Sequence, residues 1–351
     1  MTSLEGPDAA LHRDVLAISE AATIADLGNA DWSMTTSDLI SFLTPSPHTA
    51  NSLAVAVQNG TTVGYATASL PLSDNLSAAE INAYVHPDYR NRGIGGELFD
   101  WAEHQATDQG RSVLQPWVNT PEPQPGEPVA QAPTGGELPA DFNGVKFLLG
   151  HGYALEQVER ASRQDLPVDP AVLEPLRRDA VAHSDGYLMH TWRTPLPEQW
   201  VSDFARLRSR VSIEAPIAGL DYEEEVWDAD RLHERWSESA RIGCRAVVVA
   251  AEHLATHRLV AFSEMLWNAE RREFAWQGYT FVSSDHRGHR LGTLVKITML
   301  DGLPSVAPET TRIYTSNATE NAPMLSINVA MGYRPCGAYG CFQKKVVPTT
   351  I

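Results

Sequence analysis

From Val85 to Gly96 the chain reads VHPDYRNRGIGG, and these twelve residues carry the clearest chemistry in the sequence. An apolar strand pattern (Ile81 to Val85) passes a proline, enters a glycine-rich turn and becomes a helical pattern from about Ile94 to Thr107. A helix start leaves several backbone N–H groups without intrahelical partners, and the helix dipole adds positive potential at the same place. Such a turn is built to hold a phosphate. Gly93, Gly95 and Gly96 allow close approach to the backbone, Asn91 and Ile94 lie between them, and Arg90 and Arg92 offer charge-assisted hydrogen bonds.

The signal occurs twice. Val282 to Thr293 reads VSSDHRGHRLGT, again between a strand pattern and a helical pattern. Val85 and Val282, Arg90 and Arg287, and Gly95 and Gly292 are each 197 residues apart, which indicates an internal duplication. In the second turn Gly288, His289, Arg290 and Leu291 stand between Arg287 and Gly292, so an arginine replaces the middle glycine. Gly152-Tyr153 and Gly332-Tyr333 are offset by 180, so the first copy is longer; the Pro-, Gly- and Gln-rich stretch 119–141 reads as an inserted loop.

The spacing Arg-x-x-Gly-x-Gly after Val-x-Pro resembles the acyl-CoA signature of the GNAT family of N-acetyltransferases. The first copy matches it in full and the second in part. The resemblance covers nearly the whole chain as two consecutive GNAT domains. It implies an α+β fold, each domain a mixed sheet flanked by helices. It also implies acetyl-CoA as donor, no metal, and direct transfer to an amine. Coarse periodicity agrees: each copy reads as two helices, an antiparallel meander, then strand–helix–strand–helix–strand. The expected boundaries are 1–168 for the first domain, 169–185 for a connector and 186–351 for the second domain.

An acceptor amine must lose a proton, so a carboxylate near the end of the cradle strand is useful. Glu80, five residues before Val85, stands where GNAT enzymes often carry that base, or is only a strand-end carboxylate. The matching residue in the second copy is Gln277, an amide that can only orient water; Glu273 and Glu264, on the same meander, could substitute as the base. The tyrosine that many family members use as acid is replaced by Leu148 and Asn328, which leaves Tyr314 and Tyr279 as substitutes or as plain core aromatics. Asn321, before the last helix, matches a residue that touches the pantetheine arm in the family, or is an N-cap. Its counterpart is Asp141, so the second copy has the better arm site and the first the better phosphate turn. With its smaller negative charge, the second copy is the expected catalytic one.

The segment 221–230 joins the first two helices of the second copy, where the family covers its acceptor pocket. Glu223, Glu224, Glu225 and Trp227 there suit an ammonium through charge and cation–π contact, or form a solvated acidic loop.

Composition bounds the rest. Residues 1–168 hold 21 acids and 7 bases, and residues 169–351 hold 23 and 20, for a net charge of −17. Such a surface repels nucleic acid and anionic membrane. It argues against the tRNA-dependent aminoacyl transferases that share the tandem fold. No apolar run is long enough for a membrane span, the first residues lack a signal-peptide pattern, and three cysteines make no disulfide framework, so a cytoplasmic setting is expected. The alternative to an enzyme is a catalytically silent acyl-CoA-binding or regulatory module.

Overall fold

In the computed structural model residues 8–347 are described; the N-terminal stretch lacking a signal-peptide pattern lies largely outside them. The first copy contains helices α1 (Ala9–Leu27) and α2 (Thr36–Leu43), then strands β1 (Thr49–Gln58), β2 (Thr61–Pro71) and β3 (Ala78–Val85). Helix α3 (Ile94–Thr107), strands β4 (Val113–Leu114) and β5 (Trp117–Thr120), a small hairpin of β6 (Val129–Gln131) and β7 (Glu137–Pro139), helix α4 (Asn143–Gly150) and strand β8 (Ala154–Asp165) complete it. Helix α5 (Pro170–His183) connects to β9 (Tyr187–Arg193). The second copy continues with α6 (Glu198–Glu214), α7 (Ala229–Arg241), β10 (Cys244–His253), β11 (Arg258–Asn268), β12 (Arg271–Val282), α8 (Leu291–Val306), β13 (Arg312–Ala318), α9 (Ala322–Ala330) and β14 (Arg334–Lys345). No helix among the described residues is long and apolar enough to cross a membrane.

Local chemistry accounts for the elements around the site. Asn59 and Gly60, both at positive φ, make the tight β1–β2 turn. Thr35 and Asp38 form a reciprocal cap on α2. Along β3 the residues alternate: Ile81, Ala83 and Val85 pack towards α3 and α4, while Tyr84 stacks on Tyr65 in the cluster under α1.

The strands form one twelve-stranded sheet in the order β1-β2-β3-β4-β14-β8-β13-β12-β11-β10-β9, with β5 also on β14. The copies exchange their last strands. β14, from the second copy, pairs with β4 and β5 of the first, and β8, from the first, pairs with β13 of the second. Neither half therefore closes its own sheet. Beside the exchange, β3 and β4 run parallel for only two residue pairs, Ala78–Val113 and Ala79–Leu114, before they splay. The insertion at 119–141 is not a structureless loop. Ala132 and Leu138 are core residues, and the Thr319 hydroxyl of the second copy donates to the Gly135 carbonyl at 3.1 Å.

Candidate functional site

The splay between β3 and β5 opens a cleft of about 520 Å³ in the first copy. The end of α1, the start of α3 and the start of α4 close its sides. At its mouth lies the first turn, with Asn91 at φ 59° and Gly93 at φ 86°. A side chain at Gly96 would meet nothing within 4 Å, and one at Gly95 only Val85, at 3.6 Å. The cradle is open space in front of a helix N-terminus.

Arg90 is not free to hold a ligand. Its guanidinium grips Asp26 of α1 in a two-pronged pair (2.6 and 2.9 Å) and donates to the Val85 carbonyl (3.2 Å), so it fixes the turn against α1. Arg92 lies over the Tyr89 ring and donates to the Asp88 carbonyl (2.7 Å). Lys146 of α4 lines the cleft and is paired with Asp141 (2.7 Å) at its exposed end, so its charge there is partly balanced. The sequence reading missed Lys146.

The second turn has the same backbone with its residue types exchanged: Gly288 (φ 89°) stands for Asn91 and Arg290 (φ 54°) for Gly93. Arg290 therefore does not block the turn. Its side chain points away to Asp179 of α5 (2.9 Å), and Arg287 pairs with Glu214 of α6 (2.8 Å) as Arg90 does with Asp26. His289 donates to the His183 carbonyl (3.3 Å). Leu291 is in the core, and Thr293 follows in the first turn of α8. Helix α9 leans on this turn: a side chain at Gly292 would come within 3.3 Å of the Ile327 Cδ1. The expected arm contact at Asn321 is an N-cap, its Oδ1 accepting from the Met324 N–H (3.3 Å). The open cleft lies on the first copy, opposite to the expectation.

Glu80 sits on β3 at the floor of the splay. Its carboxyl reaches solvent but is crowded by protein, and burial pushes its pKa up against the lowering effect of one hydrogen bond from Asn82 (3.2 Å). Asn82 also accepts from the Trp117 N–H (3.2 Å), bridging the splayed strands. Burial, helped by the charge on Glu80, moves the Tyr84 phenol up to about 12.

The other catalytic candidates are committed elsewhere. Gln277 is buried, its amide nitrogen donating to the Ser263 hydroxyl and the Glu264 carbonyl (both 2.8 Å). Glu273 is exposed near the start of β12, roughly 30 Å of strand from Val282. Glu264 is buried against Arg208 (3.3 Å). The Tyr314 hydroxyl donates to Asp31 (2.5 Å), which Arg312 also grips, so it belongs to a joint between the copies.

The acidic segment also differs from expectation. Trp227 already carries protein cations: Arg231, Arg208 and Arg235 lie 4.4, 4.9 and 5.8 Å from its ring. The three glutamates diverge. The Glu225 carboxylate accepts from the Trp227 indole N–H (2.9 Å), Glu224 is exposed, and the Glu223 N–H donates to Asn75 of the first copy (2.6 Å).

Residues 22–122, which hold the open cleft, match the model of the acetyltransferase (GNAT) family. The whole chain is similar to a tandem GNAT protein from the clavulanic acid biosynthesis pathway: 25% identity over 98% of this chain and 97% of that one, TM-score 0.73. A GCN5-related N-acetyltransferase from Sphaerobacter thermophilus shares the fold at 16% identity, over 97% and 94% of the chains, with TM-score 0.64. No curated protein matches the chain in sequence.

Proposed function

The chain belongs to the GNAT family as a tandem of two such folds, and from that premise we propose an acetyl-CoA-dependent N-acetyltransferase of a small cationic amine, with the first copy as the working site. The observation that carries this reading is the open cleft that runs from the glycine turn along β3 to Asn82, whose amide donates to Glu80 (3.2 Å). The tandem neighbour is described in a form without acetyl-CoA, which makes acetyl-CoA the donor to test first.

The cradle N–H groups, Arg92 and Lys146 suit the pyrophosphate, and the exposed backbone of the splayed β3 suits the amide-rich arm. The thioester then reaches the floor near Asn82 and Glu80. The ionised Glu80 takes one proton from the acceptor ammonium, the free amine attacks the thioester carbonyl, the C–S bond breaks, and the remaining excess proton on the nitrogen passes to the departing thiolate. The departing thiolate needs little acid assistance, because a thiol is only weakly basic. A silent role fits the second copy, where α9 closes on the turn and Gln277 is locked.

Glu80→Gln should lower kcat by about 10²–10⁴-fold, the range of a lost general base, and leave the Kd for acetyl-CoA unchanged. The acid limb of kcat/KM should lie above the ordinary carboxylate range, since burial holds Glu80 protonated to higher pH. Asn82→Ala removes a hydrogen bond that favours the carboxylate, so the limb should move further up. Unchanged turnover in Glu80→Gln would dismiss this base.

A further inference from the structure

One polar arrangement of the first copy recurs in the second with its cation and without its acid. In the first copy the Tyr153 hydroxyl donates to the Glu103 carboxylate of α3 (2.6 Å), and Lys344 of β14 donates to the same carboxylate (3.2 Å). The Lys344 ammonium also lies over the Tyr153 ring, 5.1 Å from its centre. Tyrosine, lysine and carboxylate satisfy one another at the edge of the core.

At the offsets of 197 and 180 residues, Tyr333 stands for Tyr153, Leu300 for Glu103 and Gln164 of β8 for Lys344. The cation has moved to α8: Lys296, in the place of Phe99, holds its ammonium 4.9 Å from the centre of the Tyr333 ring. Lys296 and Tyr333 are only 1% and 3% exposed, so water does not compensate them. Among the described residues the Tyr333 hydroxyl has no hydrogen-bond partner and Lys296 no ion pair. Asn328 of α9, in the place of Leu148, is also buried with its Oδ1 unpartnered. Buried donors without an acceptor are costly, and a lysine and a tyrosine together need an anion. In the first copy Phe99, Phe147 and Leu148 line the open cleft. Their counterparts are Lys296, Ile327 and Asn328, where α9 leans on the second turn.

We propose that the second copy binds a small monocarboxylate, held by the Lys296 ammonium and the Tyr333 hydroxyl as Glu103 is held by Lys344 and Tyr153. The ligand brings the negative charge that Leu300 does not supply, and Lys296 carries a proton while it is bound. It enters where α9 meets the second turn, by a movement of α9 away from Gly292. The inference stands whichever copy carries out acyl transfer.

The probe is acetate, with acetamide as its neutral isostere, titrated calorimetrically into the full chain at pH 8 in buffers of different ionisation enthalpy. Acetate should bind at least about tenfold tighter than acetamide, because both of its contacts are charge-assisted. Burial lowers the Lys296 pKa from 10.5 to about 7, so binding should take up close to one proton, read from the dependence of the heat on the buffer. Lys296→Met, which keeps the core filled, should abolish acetate binding. Tyr333→Phe should weaken it about tenfold, the loss of one hydrogen bond to a charged group. Thermal unfolding shows that both variants are folded. No acetate binding by the parent, equal binding of acetate and acetamide, binding without proton uptake, or unaltered binding by either variant overturns the inference.

Discussion

Gly95→Glu should weaken acetyl-CoA binding by at least about a hundredfold, while Gly292→Glu should leave it almost untouched. At Gly95 the new side chain is compatible with the fold, because the only atom near its Cβ is a Val85 methyl at 3.6 Å. The residue lies in the first turn of α3, where a helix former replaces glycine and a carboxylate meets the positive end of the dipole. Both changes favour folding, by roughly 0.5–1 kcal/mol each. The same carboxylate stands where a pyrophosphate should lie. It repels the phosphates and competes for the N–H groups that would hold them. Losing two charge-assisted hydrogen bonds at roughly 1.5–3 kcal/mol each is already worth about a hundredfold. At Gly292 the Cβ presses on Ile327 at 3.3 Å, so that variant should lose some stability instead. Calorimetric titration of acetyl-CoA, with thermal unfolding of each variant, separates the two outcomes. Lost binding in Gly292→Glu with retained binding in Gly95→Glu would reverse the assignment of the copies.

The sequence revealed what depends on local backbone. The offset of 197 placed both turns, and it holds even where the glycine moved, because Gly288 and Arg290 adopt the left-handed conformations of Asn91 and Gly93. The insertion, the connector helix and the order of elements were also legible, since helix and strand periods are short-range patterns. The exchange of β8 and β14 was not. Each strand has the pattern of a closing strand, and no local feature says which sheet it closes.

Side-chain roles were hidden for the same reason. Arg90 and a free phosphate-binding arginine look alike until Asp26, 64 residues away, takes both prongs of the guanidinium. Trp227 looked available for an ammonium until three arginines from α6 and α7 covered its ring. Asn321 caps α9, and Ile327, which a side chain at Gly292 would meet, has the apolar type expected of any helix, so neither residue told in advance which copy holds the open cleft. One signal was available and unused. Phe99 and Leu148 line the open cleft, and at the same offsets the second copy has Lys296 and Asn328, polar residues in core positions.

Lys296 leads to the second large effect: Lys296→Met should stabilise the protein by roughly 4 kcal/mol at pH 7. The ammonium is almost fully buried, with Nζ 4.9 Å from the centre of the Tyr333 ring and no carboxylate in ion-pair distance among the described residues. In the first copy the same position is Phe99, packed against Phe147 and Tyr153. Burial lowers the lysine pKa from 10.5 to about 7. The sign follows from linkage: a group with a depressed folded pKa contributes no penalty above its unfolded pKa. Stability is then lost as pH falls through the interval down to the folded pKa. At 1.36 kcal/mol per unit the penalty is about 4 kcal/mol at pH 7 and falls to less than half of that at pH 9.5. Methionine has nearly the lysine's volume and no charge to desolvate, so it removes the penalty without leaving a cavity. Denaturant unfolding of parent and variant at the two pH values measures it. The advantage of the variant should shrink by more than half from pH 7 to pH 9.5. A difference independent of pH would mean that Lys296 stays charged in the folded protein, held by a partner that compensates its burial.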